Sequence, residues 1–553
     1  MERTKIGTQT STVTASLVTY FIYKRWEPQR LLAHAVLLVL LPAFVVLRDE
    51  SSMISLKDVC VRTMIHWVIV VGMTTLYRLS RFHPLAEYPG PLVCKITKFS
   101  LAYATSRGRL HEVVRQIHAQ YGDVVRIGPN ELSFCRSDAV QPVLGARLLQ
   151  RGPYFDTRRL PSGRYMIDGV RDFAESAVRR KQWLKAMSGE GLKGCEDALA
   201  SKIRELCENL KRRQEEAVDI SAWMSYFGFD FMGVMALGRD FGMMKAGADV
   251  DEFWRLIEKG STMNSALAHI PWILPIIYKI PDGGKDVVKL RNICAECAAS
   301  RVKQPAKTKD LFYYLSGENE SPMADSPDDH LIENGITAVV AGSDTAATAL
   351  AHLCYFLVKH PECYQKLRKE INEYFPSGGE VFDPRLHVDM PYLNACINEV
   401  MRLYAPVMTG LQRRVEYGTG GMMISGYFVP EDTQVSVHTH TLHRHPQEFF
   451  PLPDVFWPDR WLDQDVYTLP TGDIIPKEQI KTTGAALIPF SVGPQSCVGK
   501  SLAMMEIRAT LCALVQKFEM RAAEGFRMES WEENLEDIFV TKRGPLLIRV
   551  KEH

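Results

Sequence analysis

The run Phe490-Ser-Val-Gly-Pro-Gln-Ser-Cys-Val-Gly499 sets one cysteine, Cys497, in a glycine-punctuated loop that leads directly into an apolar helical pattern starting at Lys500. Most lone cysteines are inert, buried thiols. Two features set this one apart. Gly493 and Gly499 permit turns and a close backbone approach to a flat, bulky ligand. A helix that begins just after a sulphur favours its thiolate form. The chemistry on offer is therefore ligation by a thiolate.

A second run, Ala341-Gly-Ser-Asp-Thr-Ala346, lies in the middle of residues 331–358, the longest apolar-rich helical pattern of the chain, with Asp328 and Asp329 as its caps. Glycine costs about 1 kcal/mol against alanine inside a helix, and a buried carboxylate needs partners. Local violations of this kind tend to mark function. A third helical pattern, 391–403, puts Glu399 and Arg402 on one face at i and i+3. The same spacing recurs at Glu27, Glu112, Glu252 and Glu524, so context selects Glu399: it is followed by Phe456-Trp-Pro-Asp-Arg-Trp461 and then by the cysteine loop. Basic residues that could meet an anionic ligand stand at Arg180, on a helical pattern over 173–187 that also carries Trp183, and at the adjacent pair Arg413 and Arg414.

These residues need a large scaffold, and 553 residues with 46% hydrophobic content can supply one. A net charge of +1 argues against a nucleic-acid surface. The 12 cysteines have no framework spacing and read as reduced thiols, the lone pair Cys294-Ala-Glu-Cys297 among them. Ahead of the scaffold, 1–82 reads as a membrane-anchoring region with helices near 31–47 and 59–77, each close to the roughly 20 residues a span needs; 13–23 is a shorter, interfacial run. Arg3, Lys5, Lys24, Arg25 and Arg30 precede the first span, Arg78 and Arg81 follow the second, and the loop 48–58 is the more acidic. Both flanks are then cytoplasmic and the loop lumenal, whereas a single span would put the amino terminus in the lumen. Residues 83–91, with Tyr88-Pro-Gly-Pro91, read as a Pro/Gly hinge, and 92–553 as one domain. Within it, 123–127 and 131–135 form a hairpin pattern, 270–278 is an apolar run suited to core packing or, as a second reading, to membrane contact, and 316–329 is an acidic surface loop.

Together, and in this order, the motifs resemble those of the cytochrome P-450 family, most closely its fungal microsomal members. The cysteine loop is similar to the haem-binding loop F-x-x-G-x-x-x-C-x-G, whose fixed positions fall on Phe490, Gly493, Cys497 and Gly499. Residues 341–346 resemble the oxygen-activating motif A/G-G-x-D/E-T-T/S, with Ala346 in place of the last hydroxyl. Phe456–Trp461 resembles F-x-P-x-R-W, and Tyr121-Gly-Asp-Val-Val-Arg-Ile-Gly-Pro-Asn-Glu-Leu-Ser looks like the first sheet of fungal members. The resemblance implies a mainly α fold with a smaller β-region, carrying heme b with the Cys497 thiolate as axial ligand to the iron. It implies that Thr345 hydrogen-bonds dioxygen and Asp344 relays protons, that Arg180 and one of Arg413 and Arg414 meet the haem propionates, and that Glu399, Arg402 and Arg460 form a buried structural network. The family usually has Arg or His two residues before the cysteine. Gln495 stands there and brings a hydrogen bond without charge, so the propionates should rely more on Arg180 and on Arg413 or Arg414.

The activity so implied is monooxygenation of a hydrophobic small molecule in secondary metabolism. Electrons would come from NADPH through an NADPH-cytochrome reductase, with cytochrome b5 as a further donor, at the endoplasmic reticulum membrane with the haem domain facing the cytoplasm. A haem-thiolate isomerase or dehydratase needing no reductase, or a non-catalytic haem-binding sensor, would have less use for the Gly-Ser-Asp-Thr run. No local motif encodes the substrate.

Overall fold

The computed structural model describes residues 2–553 apart from 27–30, 49–54, 146–148, 161–162, 215, 304–308, 319–328 and 377–379. The Asp328 cap, most of the acidic 316–329 loop and the acidic part of the 48–58 loop lie outside the described residues. The chain opens with helix α1 (Glu2–Arg25), continues with α2 (Leu31–Leu47), which contains a π turn at Val36–Leu40, and then with α3 (Leu56–Leu79), where Ser55 Oγ accepts from the Lys57 N–H as the cap. The three pack against one another. Of the two expected spans, α3 is the one long and apolar enough to cross a membrane, with 11% of its most apolar stretch buried, and α2 is shorter. The Pro/Gly segment that follows is pinned to the first sheet: Arg126 N–H donates to Pro89 O at 2.7 Å, and a Cβ on Gly90 would fall 2.3 Å from Arg126 O.

That sheet has five strands: β1 (Val124–Gly128), β2 (Glu131–Phe134), β3 (Gln150–Arg151), β4 (Arg413–Arg414) and β5 (Gln434–Val437), in the spatial order β1-β2-β5-β4-β3. β1 and β2 form the expected antiparallel hairpin, with Val125 opposite Ser133. β5 joins β2 in parallel and thereby carries β4, and through it β3, to the far edge.

Helices make up most of the remainder: α4 (Phe173–Ala186), α5 (Ile220–Leu237), α6 (Asp329–Lys359), α7 (Pro391–Leu403) and α8 (Lys500–Lys517). α6 runs through the core, with Leu350, Ala351, Leu353 and Cys354 fully buried. α5 is also apolar enough to cross a membrane, yet 83% of it is buried, because it lies along α6. Small residues make this approach feasible: a Cβ on Gly228 would fall 2.7 Å from Ser343 O, and one on Gly342 2.7 Å from the Met232 side chain. α7 and α8 pack on the same helix.

The 270–278 run differs from the first expectation of core packing. It forms two short helical turns, Pro271–Ile273 and Leu274–Ile277, in which Leu274 is buried while Trp272 is 47% exposed and lies beside His34 of α2. Two prolines break the run into turns too short to bury a continuous face.

Candidate active site

The cysteine loop is closed by backbone bonds, with Cys497 N–H donating to Phe490 O at 2.8 Å and Ser496 N–H to Gly493 O at 3.0 Å. Gly493 has φ +78°, and a Cβ there would lie 2.4 Å from Leu144 O, so the turn admits only glycine. α8 begins immediately after Gly499, as the apolar pattern predicts. Burial pushes the Cys497 thiol up, while the N–H groups of Gly499 and Lys500 and the cations of Arg180 and Lys500 act in the opposite direction. Ten of the twelve cysteines are buried; Cys497 presents an open face, the other exposed one being Cys60 of α3. Phe490 packs half-buried against the main core.

Beside the loop, cations gather, with Asp168 acting on Arg151. Arg180 on α4 donates from Nη2 to Ser496 O at 2.8 Å. Arg413 is buried, with one carbonyl partner, Gln412 O at 3.2 Å, and no carboxylate partner among the described residues. Directly opposite it on the antiparallel β3–β4 pair stands Arg151, which donates to Ile167 O and Val170 O at 3.0 and 2.9 Å. Like charges directly opposed across strands repel. Burial first, and then the Arg151 cation, hold the Arg413 guanidinium down to about 9. Arg414 points elsewhere and pairs with Asp432. Trp183 donates its indole N–H to Asn334 Oδ1 on α6 at 3.3 Å. Gln495 is 8% exposed, and neither its amide nitrogen nor its oxygen has a partner. An exposed cysteine, a buried Arg413 with no carboxylate partner among the described residues and an orphaned Gln495 amide fit a haem with two carboxylate arms.

On α6, the locally unfavourable run 341–346 is helical, as the pattern predicts. Thr345 is half-buried and its Oγ1 donates to Ala341 O one turn back at 2.7 Å, while Thr348 Oγ1 donates to Asp344 O at 2.7 Å. Asp344 is buried, and its Oδ1 accepts from Arg543 Nη2 at 2.8 Å; the same Nη2 donates to Ser225 Oγ at 2.8 Å. Burial raises the Asp344 carboxyl and Arg543 pulls it back. Glu258 is raised to about 7, by burial first and then by the negative charge of Asp344.

The third constellation is fully enclosed. Glu399 accepts from Arg402 Nε and Nη2, both at 2.8 Å, from Arg460 Nε at 3.1 Å, from Trp461 Nε1 at 2.9 Å and from the Trp457 N–H at 3.0 Å. Arg402 also donates to the carbonyls of His443, Pro453 and Val455, and Arg460 to those of Pro451 and Leu452. The side chains of all three charged residues are 0% exposed.

Residues 85–550 match the Cytochrome P-450 family model. The chain belongs to the cytochrome P-450 family. Among curated P-450 relatives, the cytochrome P-450 monooxygenase FCK2 of Fusarium pseudograminearum is 31% identical over 455 residues, covering 81% of this chain and 78% of that protein. Tryprostatin B 6-hydroxylase of Neosartorya fischeri is 26% identical over 489 residues, 87% of this chain and 85% of the relative. The solved cytochrome P-450DA heme domain superposes with a TM-score of 0.64 at 18% identity, covering 80% of this chain and 93% of that one, which shows a shared fold. The protein is thus a P-450 monooxygenase, of a family that binds haem through a cysteine thiolate.

Against this P-450 frame, the structure brings Arg180 to the Cys497 loop, sets Arg413 inside and turns Arg414 outward. It also supplies three residues that the sequence reading missed. Arg151 reaches the site because β3 pairs with β4, and Arg543 and Glu258 reach Asp344 from distant segments. A two-residue strand such as Gln150–Arg151 carries no periodicity to detect.

Proposed function

We propose that this P-450 oxidises a hydrophobic small molecule of fungal secondary metabolism, with Cys497 as the axial ligand and with electrons from NADPH delivered by a membrane-bound reductase. The observation that carries the reading is the open Cys497 sulphur beside α8, faced by the Arg180 cation. When bound, the haem supplies activation of dioxygen and insertion of one oxygen atom into a C–H bond. Arg180, Arg413 and Arg151 neutralise the propionates, and the Gln495 amide donates the hydrogen bond that an arginine gives in relatives. Asp344 Oδ1 holds and passes a proton when it leaves Arg543 Nη2, and Thr345 Oγ1 orients the last donor by exchanging its bond to Ala341 O for one to the oxygen side. Glu399, Arg402 and Arg460 keep the polypeptide beneath the haem in one conformation.

A relative named tryprostatin B 6-hydroxylase supports hydroxylation of a small molecule as the reaction class. α3 anchors the protein at the endoplasmic reticulum with the catalytic domain on the cytoplasmic side, next to the reductase, and cytochrome b5 is a second electron donor. NADPH consumption by purified enzyme with reductase, with and without a spectrally selected substrate, tests the reaction class. Substrate-stimulated consumption with an oxygenated product is expected; product formation that needs no reductase would replace this reading with an isomerase or dehydratase.

A further inference from the structure

Helix α1 is not among the helices apolar enough by composition to cross a membrane, yet it buries hydroxyl groups and exposes apolar side chains. Thr12, Ser16 and Thr19 are buried against α2 and α3 together with Ala15 and Tyr20, whereas Val13, Val18 and Phe21 face outward, exposed by 44%, 48% and 57%, with Ser11 and Thr14 beside them. A helix on a soluble surface does the reverse. In lipid, acyl chains are as apolar as leucine, so helices associate through small and hydroxyl-bearing residues instead. Residues 6–23 carry no charge, and the helix has 24 residues. At about 1.5 Å per residue that is roughly 36 Å, against roughly 30 Å for a hydrocarbon core.

The three helices meet at His66 of α3, which is fully buried. In the π turn of α2, the Leu41 N–H bonds Val36 O, which releases Leu37 O from the helical ladder. His66 Nε2 lies 3.1 Å from that carbonyl, and Nδ1 lies 3.0 Å from Ser16 Oγ of α1. Leu37 O can only accept, so Nε2 carries a proton, while the single hydrogen of Ser16 Oγ is shared between Nδ1 and Thr12 O, which lies 2.8 Å away. Both ring nitrogens lie within hydrogen-bond distance of protein groups, the condition that hydrocarbon imposes on a polar group.

Direction follows from the basic ends. Lys24 Nζ lies 3.9 Å from the Tyr77 ring of α3, and Arg25 lies 4.5 Å over Tyr417 of the catalytic domain. Arg78, at the end of α3, donates to Ile96 O at 2.6 Å. The carboxyl ends of α1 and α3 therefore sit at one level beside the catalytic domain, on the side where positive residues collect.

We propose that α1 crosses the bilayer with α2 and α3, its outward Val13, Val18 and Phe21 covered by acyl chains, so that its amino-terminal end lies on the side opposite the catalytic domain. This rests on the membrane attachment proposed above and replaces two spans, with both flanks cytoplasmic, by three. The test uses the full chain in endoplasmic reticulum microsomes, with an epitope on a flexible spacer fused ahead of α1. Protease added to intact microsomes should leave the epitope protected until detergent opens them. Cleavage of the epitope in intact microsomes, on protein that stays in the pellet after alkaline carbonate extraction, overturns the three-span arrangement alone. Release of the protein by carbonate overturns the attachment and the arrangement together.

Discussion

Two groups of buried cations in this protein have opposite fates. Arg402 and Arg460 surround Glu399, and every contact they make is with protein. Arg151 and Arg413 face each other across a strand pair, Arg413 with no carboxylate partner among the described residues, and the Gln495 amide of the cysteine loop is likewise unpartnered among them. Burying charge is expensive unless it is paired. In the first group the Glu399 carboxylate is fully paired within the polypeptide, although Arg460 Nη1 has no partner among the described residues. On the proposed function, a dianionic ligand completes the second, and the unfavourable electrostatics of the bare chain favour its binding.

Breaking the first group should cost most. Arg402→Ala leaves Glu399 with an incomplete shell, a loss of about 3–5 kcal/mol for a broken buried pair; expression should yield little folded protein, as followed by thermal melting, and a variant that melts like wild type would refute the structural assignment. In the second group the sign of the stability effect differs. Arg413→Leu removes a cation that Arg151 repels, so the apoprotein should melt no lower than wild type, while haem transfer to an acceptor globin accelerates on the order of tenfold, the factor of one lost charge-assisted contact of about 1.4 kcal/mol. Equal losses in apo and holo melting would assign Arg413 to structure instead.

Smaller effects sharpen the distal side. Asp344→Asn and Thr345→Ala should each leave substrate-induced spectra intact but divert NADPH consumption from product to peroxide, on the order of 10-fold in coupling for a lost proton-transfer group. Unchanged coupling would remove the residue from the proton path. Gln495→Arg supplies the missing charge and should slow haem loss several-fold; no change in haem retention or reduction potential would show that Arg151, Arg180 and Arg413 already suffice. The least effect is expected for Glu258. Its carboxyl, held at about 7, loses its proton as pH rises through neutrality and adds negative charge near Asp344. Turnover should fall gently over that interval, and Glu258→Gln should flatten the profile; an unaltered profile would exclude Glu258.

What the sequence disclosed and what it hid follow the same division. Cys497, Asp344, Thr345 and the Glu399–Arg402 pair stand in runs where local spacing fixes the geometry, and each such run forms the helix or turn expected of it. Arg543 lies 199 residues from the Asp344 it bonds, and Arg151 joins Arg413 only through strand pairing across the sheet. The choice between Arg413 and Arg414 was likewise out of reach, because alternation along a two-residue strand has no register until its neighbours are known.

The central claim is the Cys497 thiolate, and the carbon monoxide difference spectrum of the reduced, full-length protein tests it most directly. A strongly red-shifted Soret band that disappears in Cys497→His is the expected result. An unshifted band in intact, haem-loaded wild type would contradict it.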